Sequence, residues 1–258
     1  MKPFLWIILG LFWACSLQAQ YKKTPITASN AIRFTENKKQ WDDTVRYRAD
    51  LPSGYLFVYA NTLQYSFYDG SVLDHYKHPH FHEKNNKNYK KPDGIPAHSF
   101  VVDFLKANPN PKISPRKATA ETLHYYWGNN PERWAENVKN YEELYYENLY
   151  KDIDYRIFSV DEKLKYEFLL KPNADARKIR MHIKHASKVN LLPDGTLEIQ
   201  TIVGNIYEKK PYSYQIIDNI KVEVPTEFVL KNNVVSFYFP KGYNRDLPLI
   251  IDPELIFS

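Results

Sequence analysis

Four histidines form the densest group of metal-ligand side chains in the sequence. His75, His78, His80 and His82 lie in the segment HYKHPHFH. In an extended chain, alternate residues project from the same side, so His78, His80 and His82 would present three imidazoles together. Imidazole nitrogen binds Zn²⁺ and Cu²⁺, which makes this group the candidate metal site. The alternative is a solvated loop that is rich in histidine, since no cysteine or defined scaffold stands beside it.

Carboxylates provide the candidate for acid–base chemistry. Asp152 and Asp154 have the spacing that places two side chains on one face of a strand, and Glu167 lies where a paired strand would pass. Glycoside hydrolysis requires two carboxylates of this kind. The alternative is a charged sheet surface shared with Arg156 and Lys165. We expect no catalytic residues and no cofactor, because the sequence contains neither a glycine-rich phosphate loop nor a nucleophile elbow.

Aromatic residues are densest around Tyr125, Tyr126, Trp127 and Trp134. If they are exposed, Tyr126, Trp127 and Trp134 form a platform for a glycan or a peptide, and they are the candidate ligand-binding residues. If they are buried, the same rings fill a core between a short helix and a sheet. Burial is the favoured interpretation for the two tryptophans.

The carboxylates belong to a stretch whose pattern predicts a β-hairpin. Apolar and polar side chains alternate over residues 153–157 and again over residues 164–170, and the polar residues 159–163 lie between them. A period of two with one apolar face is typical of a half-buried strand. We expect the aromatic face of this hairpin to pack on a core and its charged face to contact water.

The remaining sequence repeats that pattern. Turn residues at 193–195, 204–205, 218–219 and 232–233 separate short alternating segments, and similar segments precede the hairpin. Short strands with closely spaced turns are typical of antiparallel sheets. The predicted fold is therefore all-β, an antiparallel β-sandwich with one short helix and, as an open alternative, two tandem β subdomains.

The short helix is predicted after residue 130. Asn130 can cap its first turn, Pro131 suits the first helical position, and Glu132 favours the positive end of the helix dipole. We expect this helix to end near residues 137–138, with Trp134 anchoring it to the sheet.

Composition divides the chain into regions. Residues 1–20 are the predicted signal peptide, residues 21–105 an N-terminal β region with a long polar loop at 69–97, and residues 121–258 a C-terminal β region. Prolines at 109, 111 and 115 mark a connection over residues 106–120, because proline does not fit a helix or a central strand. The pattern fits two domains or one sandwich with a long excursion.

The N-terminus has the layout of an export signal. Lys2 precedes an apolar run over residues 4–14, which is shorter than the ~20 residues that a spanning helix needs, and small residues follow. We expect a secreted or cell-surface protein with no membrane span after cleavage. An uncleaved anchor is the alternative, and lipidation of Cys15, the single cysteine, is another.

The net charge of the chain gives no indication of nucleic-acid binding. The formal net charge of the 258 residues is +5, and removing Lys2 with the signal leaves 34 basic and 30 acidic side chains, or +4. This excess is small and dispersed, so we expect no nucleic-acid binding.

Seven segments in order resemble an N-terminal domain of unknown function found in large secreted proteins of Bacteroidota. The segments are ENKKQW at 36–41, LPSG at 51–54, YWGNNPERW at 126–134, NLYKDID at 148–154, LKYEF at 164–168, KPYSYQ at 210–215 and PLIIDP at 248–253. The resemblance covers nearly the whole chain after the signal. It implies export and a surface role, and it supplies no catalytic residues.

In that family the domain usually precedes β-propeller-type SBBP repeats and often a domain associated with gliding motility and type IX secretion. The present sequence stops at residues 255–258, where a first repeat strand would begin, so a truncated product and a domain acting alone are both open. Lys39 stands where such proteins usually carry glycine.

These observations lead to three functional hypotheses. The first is a non-catalytic extracellular β module of scaffold or adhesion type, with a surface glycan, a protein or downstream repeats as its partner. The second is a carbohydrate-binding β-sandwich that uses Tyr and Trp platforms. The third is a surface glycoside hydrolase.

Overall fold

Antiparallel strands make up most of the computed structural model, as the alternating pattern predicts. The structure describes residues 31–77, 92–161 and 163–257. The predicted signal peptide at 1–20, which includes Cys15, and the candidate metal ligands His78, His80 and His82 lie outside the described residues.

The described chain contains 19 strands, one α-helix and two single 3₁₀ turns. The strands are β1 (Phe34–Glu36), β2 (Tyr47–Leu51), β3 (Gly54–Val58), β4 (Thr62–Tyr68), β5 (Ala97–Phe104), β6 (Lys112–Tyr125), β7 (Ala135–Tyr150), β8 (Ile153–Val160), β9 (Lys163–Leu170), β10 (Met181–Lys184), β11 (Lys188–Leu191), β12 (Leu197–Thr201), β13 (Gly204–Glu208), β14 (Tyr212–Ile217), β15 (Ile220–Val224), β16 (Glu227–Lys231), β17 (Val234–Tyr238), β18 (Leu249–Asp252) and β19 (Leu255–Phe257). The helix α1 spans Gly70–Lys77, and the 3₁₀ turns span Pro131–Arg133 and Ala176–Lys178.

The strands form two sheets. The larger has 15 strands. Fourteen of them follow the order β15-β14-β18-β9-β8-β7-β1-β2-β3-β4-β5-β10-β17-β16, and β6 pairs with β7 outside this order. The smaller has the order β11-β12-β13-β19. In the larger sheet, strands β1 to β5 form one block that is flanked on both sides by later strands, since β1 pairs with β7 and β5 pairs with β10. Residues 31–258 accordingly form one compact unit.

The hairpin predicted over residues 153–170 is present as β8 and β9. Ile153 pairs with Leu170 and Val160 with Lys163. The apolar residues of both strands are buried, as the alternation predicts. The charged face is less exposed than expected, because neighbouring side chains contact the buried Asp154 and Glu167.

The proline-rich segment differs from the predicted connection. Residues 112–125 form the long strand β6, in which Pro115 pairs opposite Leu144. Within the described residues β6 pairs with β7 alone, and an edge strand of this kind is where proline is tolerated in a sheet. A register shift between Ala118 and Thr122 also interrupts the pairing of β6 with β7.

The helices also lie elsewhere than predicted. Asn130 caps as expected, but the helical segment is the single turn Pro131–Arg133, and β7 begins at Ala135. The α-helix of the described chain is α1, which occupies the start of the predicted polar loop at 69–97. The Asp69 carboxylate accepts a hydrogen bond from the Ser71 backbone N–H at 2.9 Å and so caps α1.

The core lies between the two sheets. Leu63, Phe100 and Tyr155 of the larger sheet and Ile199 and Ile206 of the smaller sheet surround a cavity with a free volume of about 30 Å³. This is space for one or two water molecules, so the layers are closely packed. No helix in the described residues is long and apolar enough to cross a membrane.

Candidate functional site

Two loops that connect strands of the larger sheet enclose an open groove of about 780 Å³. One is the turn between β1 and β2, and the other joins β6 to β7. The groove is lined by Lys39, Gln40, Trp41, Asp42, Asp43, Trp127, Glu132 and Arg133. We call it the aromatic groove, because two tryptophans contribute to its walls.

The loop from β6 to β7 is shaped by local hydrogen bonds. The Asn130 side chain accepts from the Glu132 N–H at 3.0 Å, and the Trp134 N–H donates to the Pro131 carbonyl at 3.0 Å. Gly128 has a φ of 63°, in the left-handed region that favours glycine. The turn therefore places Trp127 on one side of the 3₁₀ segment and Trp134 on the other.

Tyr126 and Trp134 pack against each other beside the groove. Their rings meet edge to face with centroids 5.4 Å apart. The Trp134 indole N–H donates to the Gly128 carbonyl at 3.2 Å, and the Tyr126 hydroxyl donates to Glu136 at 3.0 Å. The bond to Glu136 raises the pKa of Tyr126. These contacts brace the loop that carries Trp127.

The opposite wall is a turn organised by one asparagine. The Asn37 amide donates to the carbonyls of Asp42 at 2.8 Å and Val45 at 2.9 Å. Its oxygen accepts from the backbone N–H groups of Lys39 at 3.1 Å and Trp41 at 3.3 Å. Lys39 has a φ of 89°, in the left-handed region where the family resemblance implies glycine. This groove residue therefore holds a strained backbone.

Trp41 is supported from behind. Its ring meets Tyr125 edge to face at 5.7 Å, and the Arg48 guanidinium lies 4.6 Å from the ring centroid. The same guanidinium lies 4.7 Å from the Tyr55 ring. A cation over an aromatic face holds both groups in place. Trp41 is half-buried as a result and has a defined orientation.

The groove combines apolar rings with polar groups of both signs. Trp127 is 58% exposed, and the acidic Asp42, Asp43 and Glu132 face it together with two cations. The hydrogen bonds that Asp42 accepts from Thr44 lower the pKa of Asp42. Ring faces can stack on a flat apolar surface, while carboxylates, an amide and a guanidinium can bond hydroxyl groups.

The candidate ligand-binding residues are exposed. Tyr126 is 56% and Trp134 39% exposed, in addition to Trp127, so the expectation that the tryptophans are buried is wrong. The reason is that β7 starts immediately after the 3₁₀ turn, which leaves no helix to cover these rings. Of the three, Trp127 lines the groove, and the other two support its loop.

Sequence reasoning missed the rest of the groove. Lys39, Trp41 and Asp42 are far from Trp127 in the chain, and only the pairing of β1 with β7 brings the two segments together. A signal was nonetheless present, because the segments ENKKQW and YWGNNPERW both belong to the ordered series that carries the family resemblance.

Two of the three candidate acid–base carboxylates, Asp154 and Glu167, are engaged by neighbouring groups. Asp154 accepts from the Tyr145 hydroxyl at 2.8 Å and from the Asn148 N–H at 2.7 Å, and Lys171 lies 3.6 Å away. Glu167 accepts from Arg156 at 2.7 Å. Asp152 has a φ of 64° in the turn between β7 and β8. The geometry at Asp154 and Glu167 is that of structural ion pairs, with both carboxylates buried.

The candidate metal site cannot be placed, since His78, His80 and His82 are outside the described residues. Within the parts of the chain that the structure describes, no three His, Cys, Asp or Glu side chains are grouped so that they could hold a metal ion.

Comparison with known proteins gives a family match. A family model described as a domain of unknown function, DUF7948, matches residues 34–254. No curated protein and no solved structure matches the chain.

Proposed function

Because the chain belongs to the DUF7948 family, whose function is unknown, we propose its role from its own groove. The protein is a non-catalytic recognition module of a secreted or cell-surface protein, and it binds a glycan in the aromatic groove. The export signal expected at residues 1–20 supports the extracellular setting.

The observation that carries this proposal is the exposure of Trp127 opposite Trp41. A tryptophan that is 58% exposed leaves a large apolar surface in water, which is unfavourable unless a partner covers it. The loop that presents it is held by backbone and side-chain hydrogen bonds, so little ordering would be needed on binding.

The polar lining supports a sugar over a purely apolar ligand. Gln40, Asp42, Asp43 and Glu132 surround the rings with hydrogen-bond acceptors, and Arg133 adds a donor. A sugar ring has an apolar face for stacking and hydroxyl groups at its rim, and this combination matches the groove.

The test is glycan binding by the wild-type protein and by Trp127→Ala. A glycan array identifies a ligand, and calorimetry then measures its affinity. We expect Trp127→Ala to weaken binding by about 10- to 100-fold, through loss of one stacked ring. Its free energy of unfolding should change little, since the side chain is exposed.

Tyr238→Ala is the matched control. Tyr238 is 54% exposed at the end of β17 and does not line the groove, so its removal should leave glycan affinity unchanged. Absence of any array signal, or equal affinities for Trp127→Ala and wild type, would contradict the proposal.

A scaffold role beside further domains is the second candidate. It is supported by the ordered motifs that resemble the domain preceding SBBP repeats in secreted Bacteroidota proteins. The DNA downstream of the Ser258 codon tests it: an in-frame continuation into repeats supports the scaffold role, and a stop codon removes that support.

A further inference from the structure

Five basic side chains surround a second concavity that shares no residue with the aromatic groove. Lys106, Lys151, Arg177, Lys178 and Arg180 line it, with Tyr150 among its walls, and its volume is about 420 Å³. No acidic residue lines it. We call it the basic pocket.

Separate loops supply these cations. Lys106 follows β5, Lys151 lies in the turn from β7 to β8, Lys178 ends a 3₁₀ turn, and Arg180 precedes β10. The charges are therefore not the solvated face of one strand or helix. They meet because β5 and β7 end, and β10 begins, at the same side of the fold.

Tyr150 holds these loops together. Its buried hydroxyl donates to the Arg180 carbonyl at 3.1 Å and accepts from the Arg180 N–H at 3.2 Å. The Leu105 N–H donates to the same carbonyl at 2.9 Å. Burial raises the pKa of Tyr150 to about 12, so the hydroxyl stays protonated and keeps its donor. These hydrogen bonds hold the backbone at Leu105 and Arg180, which lie beside the exposed basic side chains of the pocket.

Most of this positive charge is uncompensated. Arg177 makes two hydrogen bonds to Asp175, at 2.8 Å and 3.0 Å. Within residues 31–77, 92–161 and 163–257, Lys106, Lys151, Lys178 and Arg180 have no carboxylate at ion-pair distance. Like charges crowded around a concavity repel one another and raise its potential, which attracts an anion.

We propose that the basic pocket binds a tetrahedral oxyanion, a sulfate or phosphate group that is free or esterified to a sugar. The planar guanidinium of Arg180 can donate two parallel hydrogen bonds to such a group, and the lysines add charge around it. A nucleic-acid strand fits less well, because the Tyr150 ring is buried and offers no face on which bases could stack.

Thermal unfolding tests the proposal on the full chain. Sulfate or phosphate at about 20 mM should raise the unfolding midpoint above that in chloride of equal ionic strength, as expected for a ligand that binds only the folded state. The variant Lys106→Gln/Lys178→Gln removes two unpaired charges from different loops. We expect it to lose this rise and to bind inorganic phosphate at least about tenfold more weakly in calorimetry.

The control removes the same net charge elsewhere. Lys231→Gln/Lys241→Gln replaces two exposed lysines outside the pocket, so it should respond to phosphate as the wild type does. Equal loss in both double variants, or no anion-specific rise in the wild type, would overturn the proposal. If the pocket variant fails to fold, the single replacements Lys106→Gln and Lys178→Gln provide the same comparison.

Glucose 6-phosphate distinguishes the two sources of the oxyanion. Equal affinities for inorganic phosphate and glucose 6-phosphate assign the pocket to the group itself. Tighter binding of the sugar ester assigns it to an esterified glycan. Trp127→Ala should leave both affinities unchanged, so failure of glycan binding in the aromatic groove is distinguishable from failure at this pocket.

Discussion

Glu208 is a carboxyl group in an apolar setting. It lies on β13, faces the core between the sheets, and accepts a hydrogen bond from the Tyr166 hydroxyl. Tyr65 and Tyr155 are its other titratable neighbours, and the surrounding cavity contains no lysine, arginine or histidine. Burial raises the pKa of Glu208 to about 7, although the bond from Tyr166 opposes the rise.

This shift predicts a pH-dependent stability. The folded-state pKa lies above the ordinary value of 4.5, so the folded state holds its proton more tightly than the unfolded state. The contribution of Glu208 is fully present below about pH 4.5 and is lost as pH rises through 7, by roughly 3 kcal/mol in all. We expect Glu208→Gln to remove this loss and to be more stable than wild type at pH 8.

Urea unfolding at pH 5 and pH 8 measures the effect. The control is Glu227→Gln, an exposed carboxyl on β16, which should follow the wild type within about 0.5 kcal/mol at both pH values. Identical pH dependence of wild type and Glu208→Gln would show that Glu208 is ionised in the folded protein.

Close backbone approach decides which residue can start β3. Gly54 pairs with Leu51 on one side and Phe67 on the other. A side chain there would overlap the Ser66 carbonyl oxygen and lie 2.7 Å from the Phe67 ring. The β2–β3–β4 meander therefore depends on the absence of a Cβ at this position.

Replacing two glycines by alanine tests whether β3 depends on a glycine at position 54. We expect Gly54→Ala to destabilise the protein by about 1–3 kcal/mol, the usual cost of overpacking. Gly94→Ala is the matched control, since its Cβ would meet nothing within 4 Å, and it should change stability by less than about 0.5 kcal/mol. Chemical denaturation measures both, and equal effects would refute the steric argument.

In the larger sheet, the early strands β1 to β5 lie between two groups of later strands. β1 requires β7, and β5 requires β10, so neither side of residues 106–120 has its complete set of neighbours. One cluster of buried residues includes side chains from both sides of this segment.

This topology predicts cooperative unfolding. We expect residues 31–258 to unfold in one transition, with equal calorimetric and van't Hoff enthalpies, and with tryptophan fluorescence and circular dichroism giving the same midpoint. Two separated transitions would indicate that regions 21–105 and 121–258 are independent domains.

The sequence by itself determined the kind of secondary structure. Alternation of side chains is a local property, so it was sufficient to predict antiparallel strands, the β8–β9 hairpin and the buried faces of Tyr155 and Phe168. Local chemistry also identified the Asn130 cap, while the family resemblance identified the unusual residue at Lys39. It could not predict β6, because an edge strand with proline and many polar residues lacks a clear period.

Only the tertiary structure decided the sites. Trp41 and Trp127 line one groove because β1 pairs with β7, and Lys106 lies near Arg180 because β5 ends where β10 begins. The raised pKa of Glu208 likewise depends on its burial between the two sheets. Such features arise from contacts between residues distant in the chain, and a periodic pattern contains information only about neighbours.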